Sequence, residues 1–243
     1  MALLAYFFVL VVALVAGCLS GVIGTGSSIM LLPVLVFAYG PKEAVPIMAV
    51  AAVMSNVSRV ALWWRDMNWR AFLAYALPGA PAAALGARTL LALPTHVIEG
   101  ALGVFFLVMV PARYQLARMD VRIRLWQLAV AGAFIGFLTG LVLSTGPLSV
   151  PAFTAYGLLK GQFLATEAAS SLALYTSKVF AFRELGALPE SVVFKGLIVG
   201  SSLMVGAIAG KAIVLRMSPA HFHLILDGVM IASGLSMLWG AFH

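Results

Sequence analysis

Residues 17–33 read GCLSGVIGTGSSIMLLP, and the polar segment 24–28 interrupts an apolar run in which no charged side chain precedes Lys42. Inside a bilayer, the backbone N–H and C=O groups that such a break releases are tolerated only where they line a protein cavity. The stretch therefore predicts a broken membrane helix, folded as a hairpin or a re-entrant segment.

The composition of the chain places this break in lipid. Of 243 residues, 63% are hydrophobic and 9% are charged, against roughly 25% charged in an average soluble domain. The mean hydropathy is +1.08, and at about 20 residues per span the chain has room for on the order of eight to ten crossings. The net charge of +7 is assigned to cytoplasmic loops rather than to nucleic-acid binding. This composition excludes a soluble or disordered protein.

The break occurs a second time in residues 136–151, which read GFLTGLVLSTGPLSVP. Moving the second half back by roughly 119 positions superposes the two breaks and aligns Arg59 with Lys178. With a few more residues inserted, Arg88 also aligns with Lys211. These landmarks keep the same order, so we predict an internal duplication.

The apolar runs give the organisation of the two halves. They lie near 2–22, 27–39, 44–64, 70–92 and 96–111, and again near 125–143, 147–159, 161–182, 190–215 and 220–242. The sequence thus predicts an all-α polytopic membrane protein built from a duplicated four-segment unit. Repeat 1 covers 1–112, a basic cytoplasmic connector covers 113–124, and repeat 2 covers 125–243.

The topology of the breaks decides how the repeats are related. If each break forms a hairpin that returns to its own side, each repeat crosses an odd number of times and the repeats are inverted. If each broken segment crosses once, the repeats are parallel. The positive-inside rule places the connector 113–124 in the cytoplasm in both cases, and we favour inverted repeats.

The two breaks are the first candidate binding site, formed by Thr25, Gly26 and Ser27 with Thr145 and Gly146. The first N–H groups of a restarting helix lack intrahelical partners and carry partial positive charge. Two such helix starts near the middle of the membrane would bind an anion, with hydroxyl groups as further donors. Close helix packing is the simpler interpretation of the other glycine pairs.

A second candidate set lies on the helix after each break. Asn56 and Arg59 are three residues apart and share a helix face, and Tyr175 and Lys178 repeat that spacing. A cation within a membrane helix indicates function, yet both cations lie near the ends of their runs, where long side chains reach the headgroups. Anion attraction and interfacial anchoring both stay open.

Two further pairs of charges are interpreted as structural. Arg88 and Glu99 lie almost equally far from residue 94, so they would meet in a helical hairpin that turns there. Lys211 and Asp227 lie in the same way on either side of residue 219. Buried charges in lipid persist mainly as pairs. The alternative is that one of these carboxylates, or Glu167, carries a coupling proton.

No pattern in the chain indicates an enzyme. The sequence has no P-loop, no HExxH and no GxSxG motif. His221 and His223 lack companion ligands at metal-binding spacing. We therefore expect neither a cofactor nor a metal.

The motif Gly17-x3-Gly21-x2-Gly24-Thr25-Gly26, its echo in residues 136–146 and the four-plus-four arrangement resemble the TauE/SafE sulfite exporter family, also called the TSUP permeases. The resemblance implies export of small sulfur-containing anions such as sulfite, sulfoacetate or other organosulfonates. It implies a multi-pass protein of the bacterial inner membrane.

Together these features predict a secondary transporter that works by alternating access at a midplane site between the repeats. The alternative is a passive small-anion channel. The predicted partners are the anion and the lipid bilayer, and the sequence is compatible with a coupling proton and with a homodimer. The exact anion, the direction, the coupling ion and the side of the termini stay open.

Overall fold

The computed structural model of the protein describes residues 9–18, 27–118, 122–142, 146–214 and 219–242, which are helical apart from short turns and contain no strand. The helices in chain order are α1 (Val9–Cys18), α2 (Ser27–Tyr39), α3 (Pro41–Trp63), α4 (Trp69–Ala92), α5 (Thr95–Arg118), α6 (Leu125–Val142), α7 (Gly146–Ala155), α8 (Lys160–Glu184), α9 (Glu190–Val214) and α10 (Pro219–Phe242). A 3₁₀ turn at Trp64–Asp66 joins α3 to α4. The predicted all-helical class is confirmed.

Helix α3 lies at the centre of the packing, and its residues 44–52 are all buried. It runs parallel to α9, because Val50 lies beside Gly196 and Met54 beside Gly200. It runs antiparallel to α8, because its C-terminal part meets the N-terminal part of α8 while Val50 and Val179 line one cavity. The central helix of the first half therefore packs mainly against α8 and α9 of the second half, together with α2 of its own half.

Helices α4 and α6 approach so closely that their backbones touch. A Cβ atom added to Gly86 would lie 2.2 Å from the carbonyl oxygen of Phe137, and one added to Gly136 would lie 2.3 Å from that of Gly79. Gly79 contacts Gly136 and Gly86 contacts Gly140, so residue numbers rise together along both helices and the two helices are parallel. Small residues that permit such approach are the usual means of helix association in membranes.

This packing corrects the helical hairpins expected from the sequence. Helix α4 packs mainly on α6 and α8, and α5 packs mainly on α10, instead of α4 packing along α5. In the α5–α10 contact, Gly103 lies against Gly234, with the helices antiparallel. Glycine-lined faces set these partners, whereas chain adjacency led us to expect the neighbouring helix.

The outer surface carries large apolar side chains. Phe37, Leu77, Phe134, Phe194 and Trp239 are all exposed. Residues 42–66 and 95–112 lie in helices that are long and apolar enough to cross a membrane, and 9–18, 125–141 and 230–242 form shorter apolar helices. An apolar exterior around the helices matches the lipid environment that the composition predicts.

Candidate functional site

The most buried ionic contact in the described part of the chain joins the two halves. Nη2 of Arg59 on α3 donates to Oε2 of Glu167 on α8 at 2.5 Å, and the side chains are 14% and 3% exposed. These residues are 108 positions apart in sequence. The pair therefore places a neutralised cation at the boundary between α3 and α8.

Both members of this pair are held by further hydrogen bonds. Nη1 of Arg59 donates to Oδ1 of Asn56 at 3.1 Å, and Nδ2 of Asn56 donates to the carbonyl of Ala52 at 2.9 Å. On the other side, Oγ of Ser171 donates to Oε1 of Glu167 at 2.9 Å. Asn56 and Arg59 share a helix face as predicted and form a hydrogen bond, which fixes the orientation of the guanidinium.

Lys178, which aligns with Arg59, has a different environment. Its side chain is completely buried, and Nζ donates to the carbonyl of Thr139 at 2.8 Å and lies 5.4 Å from the ring centroid of Phe182. Thr139 lies in the last turn of α6, where carbonyl groups lack intrahelical donors and the helix dipole is negative. The ammonium therefore caps this end of α6. Interfacial anchoring, one of the two interpretations left open, does not fit a buried Lys178.

Tyr175, the polar neighbour predicted with Lys178, is also buried, one turn earlier on α8. Its helix packs against α3, α4, α6 and α7. Asn56, Tyr175 and Lys178 are therefore buried, and Arg59 is partly buried. They belong to two separate contacts. Arg59 of α3 contacts Glu167 of α8, and Lys178 of α8 contacts Thr139 of α6.

Of the residues predicted at the breaks, Thr25, Gly26 and Thr145 lie outside the described residues. Ser27 is the first residue of α2, and Gly146 is the first residue of α7. These helices have 13 and 10 residues, which at about 1.5 Å per residue is shorter than the hydrocarbon core of about 30 Å. A short helix thus begins at each of these two residues.

The predicted ion pair of Arg88 with Glu99 is corrected by the helix packing. Arg88 pairs with Glu184 of α8, at 3.1 Å and with both side chains exposed, instead of with Glu99. Asp227 accepts a hydrogen bond of 2.5 Å from the hydroxyl of Tyr114 on α5. The contacts of the Lys211 side chain lie outside the described part of the structure. Arg88 and Glu99 lie close to the same turn, but they do not meet because α4 does not pack along α5.

The partner of Arg59 was not predicted from the sequence. Glu167 is an acidic residue within an apolar run, and an intramembrane carboxylate needs a partner. That signal was available, but nothing in the sequence selects Arg59 as the partner across 108 positions. A second contact that was missed joins Lys195 of α9 to Glu43 of α3, with the ammonium 4.5 Å from the ring centroid of Tyr39.

Helices that turn apolar side chains outward and enclose an ion pair define a membrane protein with a polar interior site. The family model of the sulfite exporter TauE/SafE matches residues 9–237. A Bacillus subtilis (strain 168) protein described as "Probable membrane transporter protein YjnA" is 25% identical over 255 residues, which cover 95% of this chain and 98% of the relative. No solved structure matches the chain.

The chain belongs to the TauE/SafE sulfite exporter family. It is therefore a membrane transporter, and its family is one of transporters rather than of enzymes. The resemblance found in the glycine motifs is confirmed.

Proposed function

We propose that the protein is a secondary transporter that exports small sulfur-containing anions, such as sulfite, sulfoacetate or other organosulfonates, across the bacterial inner membrane. It does so by alternating access at a midplane site between two inverted repeats, 1–112 and 125–243. The basic segment 113–124 joins the repeats on the cytoplasmic side.

The orientation of equivalent helices supports inverted repeats. The sequence alignment pairs α3 with α8 and α5 with α10, and the helices of each pair run antiparallel. Inverted repeats require this orientation, and they place the binding site where the two halves meet. Arg59 and Glu167 lie on such a boundary, between α3 and α8.

The observation that carries the proposal is the guanidinium of Arg59, which is 14% exposed and pairs with the buried carboxylate of Glu167. A cation within a transporter interior is costly unless an anion neutralises it, and Glu167 does so in this structure. A sulfonate offers three acceptor oxygens and one negative charge to such a group. Arg59 and Asn56 would thus bind the anion, together with Thr25, Gly26, Ser27, Thr145 and Gly146 at the two helix starts.

Lys178 and Tyr175 would act from the second half. The Lys178 ammonium caps the end of α6, directly before the second break, and contributes positive charge on that side of the site. Lys178 would therefore attract the anion and position the break, with Tyr175 as a polar neighbour.

Counterflow in proteoliposomes tests the function. Vesicles are preloaded with sulfite, sulfoacetate, isethionate, sulfate or acetate, and uptake of one labelled organosulfonate is measured. A carrier gives trans-acceleration by sulfonates and little by acetate. A channel gives flux that does not saturate and shows no counterflow, and that result would replace the carrier with the channel alternative.

Arg59→Ala supplies the matched test of the site. Loss of a charge-assisted contact worth about 1.5–3 kcal/mol would weaken the apparent affinity roughly 10- to 100-fold. Arg65→Ala is the control, because Arg65 is exposed on the 3₁₀ turn after α3. Equal affinity in the two variants would contradict the assignment of the site to Arg59.

A further inference from the structure

Glu167 occupies the position on Arg59 that a bound anion would need. Its carboxylate is 3% exposed and contacts Nη2 of the guanidinium, while Nη1 is engaged by Asn56. A substrate oxygen that takes the N–H group of Nη2 now bonded to Oε2 competes with Glu167. In the state described here, the protein supplies its own anion to the site.

Displacement of this carboxylate has an electrostatic consequence. A monovalent anion that takes Arg59 leaves Glu167 charged, buried and without its cation, and breaking a buried pair in this way costs about 3–5 kcal/mol. A proton bound to Glu167 removes the charge. The site is then neutral when empty, as Arg59 with ionised Glu167, and neutral when loaded, as Arg59 with the anion and protonated Glu167.

We propose that Glu167 is the coupling residue: the anion displaces it from Arg59, and it takes up one proton as it is displaced. Protonation forms an O–H bond at Oε2 with a proton from water, and the reverse step returns that proton. This inference rests on the proposed function and names its coupling ion, so that a monovalent anion and a proton cross together without net charge.

The surroundings of Glu167 suit a carboxyl group that changes its protonation state. Ser171, one turn further along α8, now donates to Oε1 and has lone pairs to accept from a protonated carboxyl. Ser170 is completely buried, and within the described residues its hydroxyl has no hydrogen-bond partner. Both serines follow Glu167 at helical spacing on its side of α8.

Few other titratable groups face this carboxylate. Arg59 approaches it from α3, Tyr75 faces it from α4, and Asp66 of the 3₁₀ turn lies beside Gly161 at the start of α8. On α8 itself, Tyr175 and Lys178 lie two and three turns further along. Helices α6 and α7 carry no titratable side chain. Glu167 is thus the buried carboxylate that contacts the cation of the site.

The coupling also constrains the direction of transport. Proton symport favours movement toward the alkaline side of the membrane. Export then proceeds whenever the ratio of anion concentrations, inside to outside, exceeds the opposing proton ratio. A cell that produces the anion internally meets this condition.

The test uses the full chain in proteoliposomes with labelled isethionate, a monovalent sulfonate that stays ionised near neutral pH. For the wild type, we expect a pH gradient, acid outside, to drive accumulation, and an imposed membrane potential to have little effect. For Glu167→Gln, we expect counterflow at equal pH to persist and the gradient-driven accumulation to be lost. Glu43→Gln, which removes a paired carboxylate outside the proposed site, should keep both activities.

The outcomes separate this inference from the proposed function. Gradient-driven accumulation that survives in Glu167→Gln, or wild-type flux that follows the potential and ignores the pH gradient, would overturn the coupling role while counterflow still supports a carrier. Absence of wild-type counterflow for every sulfonate would overturn the transport function and the coupling with it.

A second measurement tests the proposal even if the Glu167→Gln variant fails to fold. Isethionate binding to the purified wild type in weakly buffered detergent should withdraw about one proton per bound anion from solution, as charge balance requires. Glu167→Asp keeps the carboxyl group and should restore the pH dependence. Binding of isethionate by the wild type with no uptake of protons would overturn the proposal.

Discussion

Arg59 of α3 and Lys178 of α8, which the sequence alignment of the two halves pairs, have partners of different kinds. The Arg59 guanidinium pairs with the Glu167 carboxylate across the helix boundary, whereas the Lys178 ammonium donates to the Thr139 carbonyl at the end of α6. One cation has an ionised partner that an anion could replace. The other is bound to a neutral backbone group and serves to hold a helix end.

The contact of Lys178 predicts the behaviour of Lys178→Met. Methionine fills a similar volume and removes a buried charge, so the fold should be kept. Transport affinity for the anion should fall by roughly tenfold, because the positive charge behind the second break is lost. Counterflow at varied concentration measures this, with Lys42→Met, at an exposed position, as control. Unchanged affinity in Lys178→Met would leave Lys178 with a purely structural role.

The Arg59–Glu167 pair predicts a large non-additive effect on stability. Arg59→Met leaves a buried carboxylate unpaired and should lower the free energy of unfolding by about 3–5 kcal/mol, and adding Glu167→Leu should recover most of it. Unfolding of the purified protein in detergent gives the four values of the cycle. The exposed pair supplies the comparison, since Arg88→Ala should cost at most about 1 kcal/mol. Additive effects of the buried residues would show that their contact does not stabilise the fold.

The α4–α6 contact predicts that Gly86 tolerates no side chain. Gly86→Ala places a Cβ against the backbone of Phe137 and Gly140 and should destabilise the protein by about 1–3 kcal/mol. Gly228→Ala is the matched control, because a Cβ there meets nothing within 4 Å; it should be neutral or stabilise by up to about 1 kcal/mol. Thermal unfolding in detergent compares the two. A neutral Gly86→Ala would mean that the helices separate easily.

The hydroxyl groups of the breaks predict a change in affinity without a change in folding. Thr25→Ala and Thr145→Ala together should raise the apparent KM by about tenfold, since each removes a donor worth about 0.5–1.5 kcal/mol. Thr89→Ala is a suitable control, because its hydroxyl donates to the Leu85 carbonyl on the exposed face of α4. If the double variant kept its affinity and its expression, the assignment of the site to the breaks would be wrong.

Local hydropathy predicted the helices well, and the contacts between them poorly. The predicted run 27–39 coincides with α2, and 70–92 differs from α4 by one residue, because a bilayer demands apolar runs of helical length. The partner of α4 depends on glycines 79, 86, 132, 136 and 140, which face each other from separate halves. Their composition signals close packing, but no local pattern states which helix they pack against.

The same limit applies to the site. The i, i+3 spacing predicted that Asn56 and Arg59 share a helix face, since that depends only on helix geometry. The contact of Arg59 with Glu167 depends on the position of α8 against α3, and the burial of Lys178 depends on α6. The packing of the helices therefore decides which residue each charged side chain contacts. The spacing of residues along one helix cannot predict this packing.

The glycine contact between α4 and α6 has a consequence for motion. These helices come from different halves of the chain, yet no layer of side chains separates their backbones at the glycines, so sliding one past the other would force backbone atoms to collide. We therefore expect α4 and α6 to travel as a single rigid lever during the transport cycle. If the protein transports by the proposed alternating access, its moving bodies would then differ from the two predicted repeats, because α4 of the first half would move together with α6 of the second half.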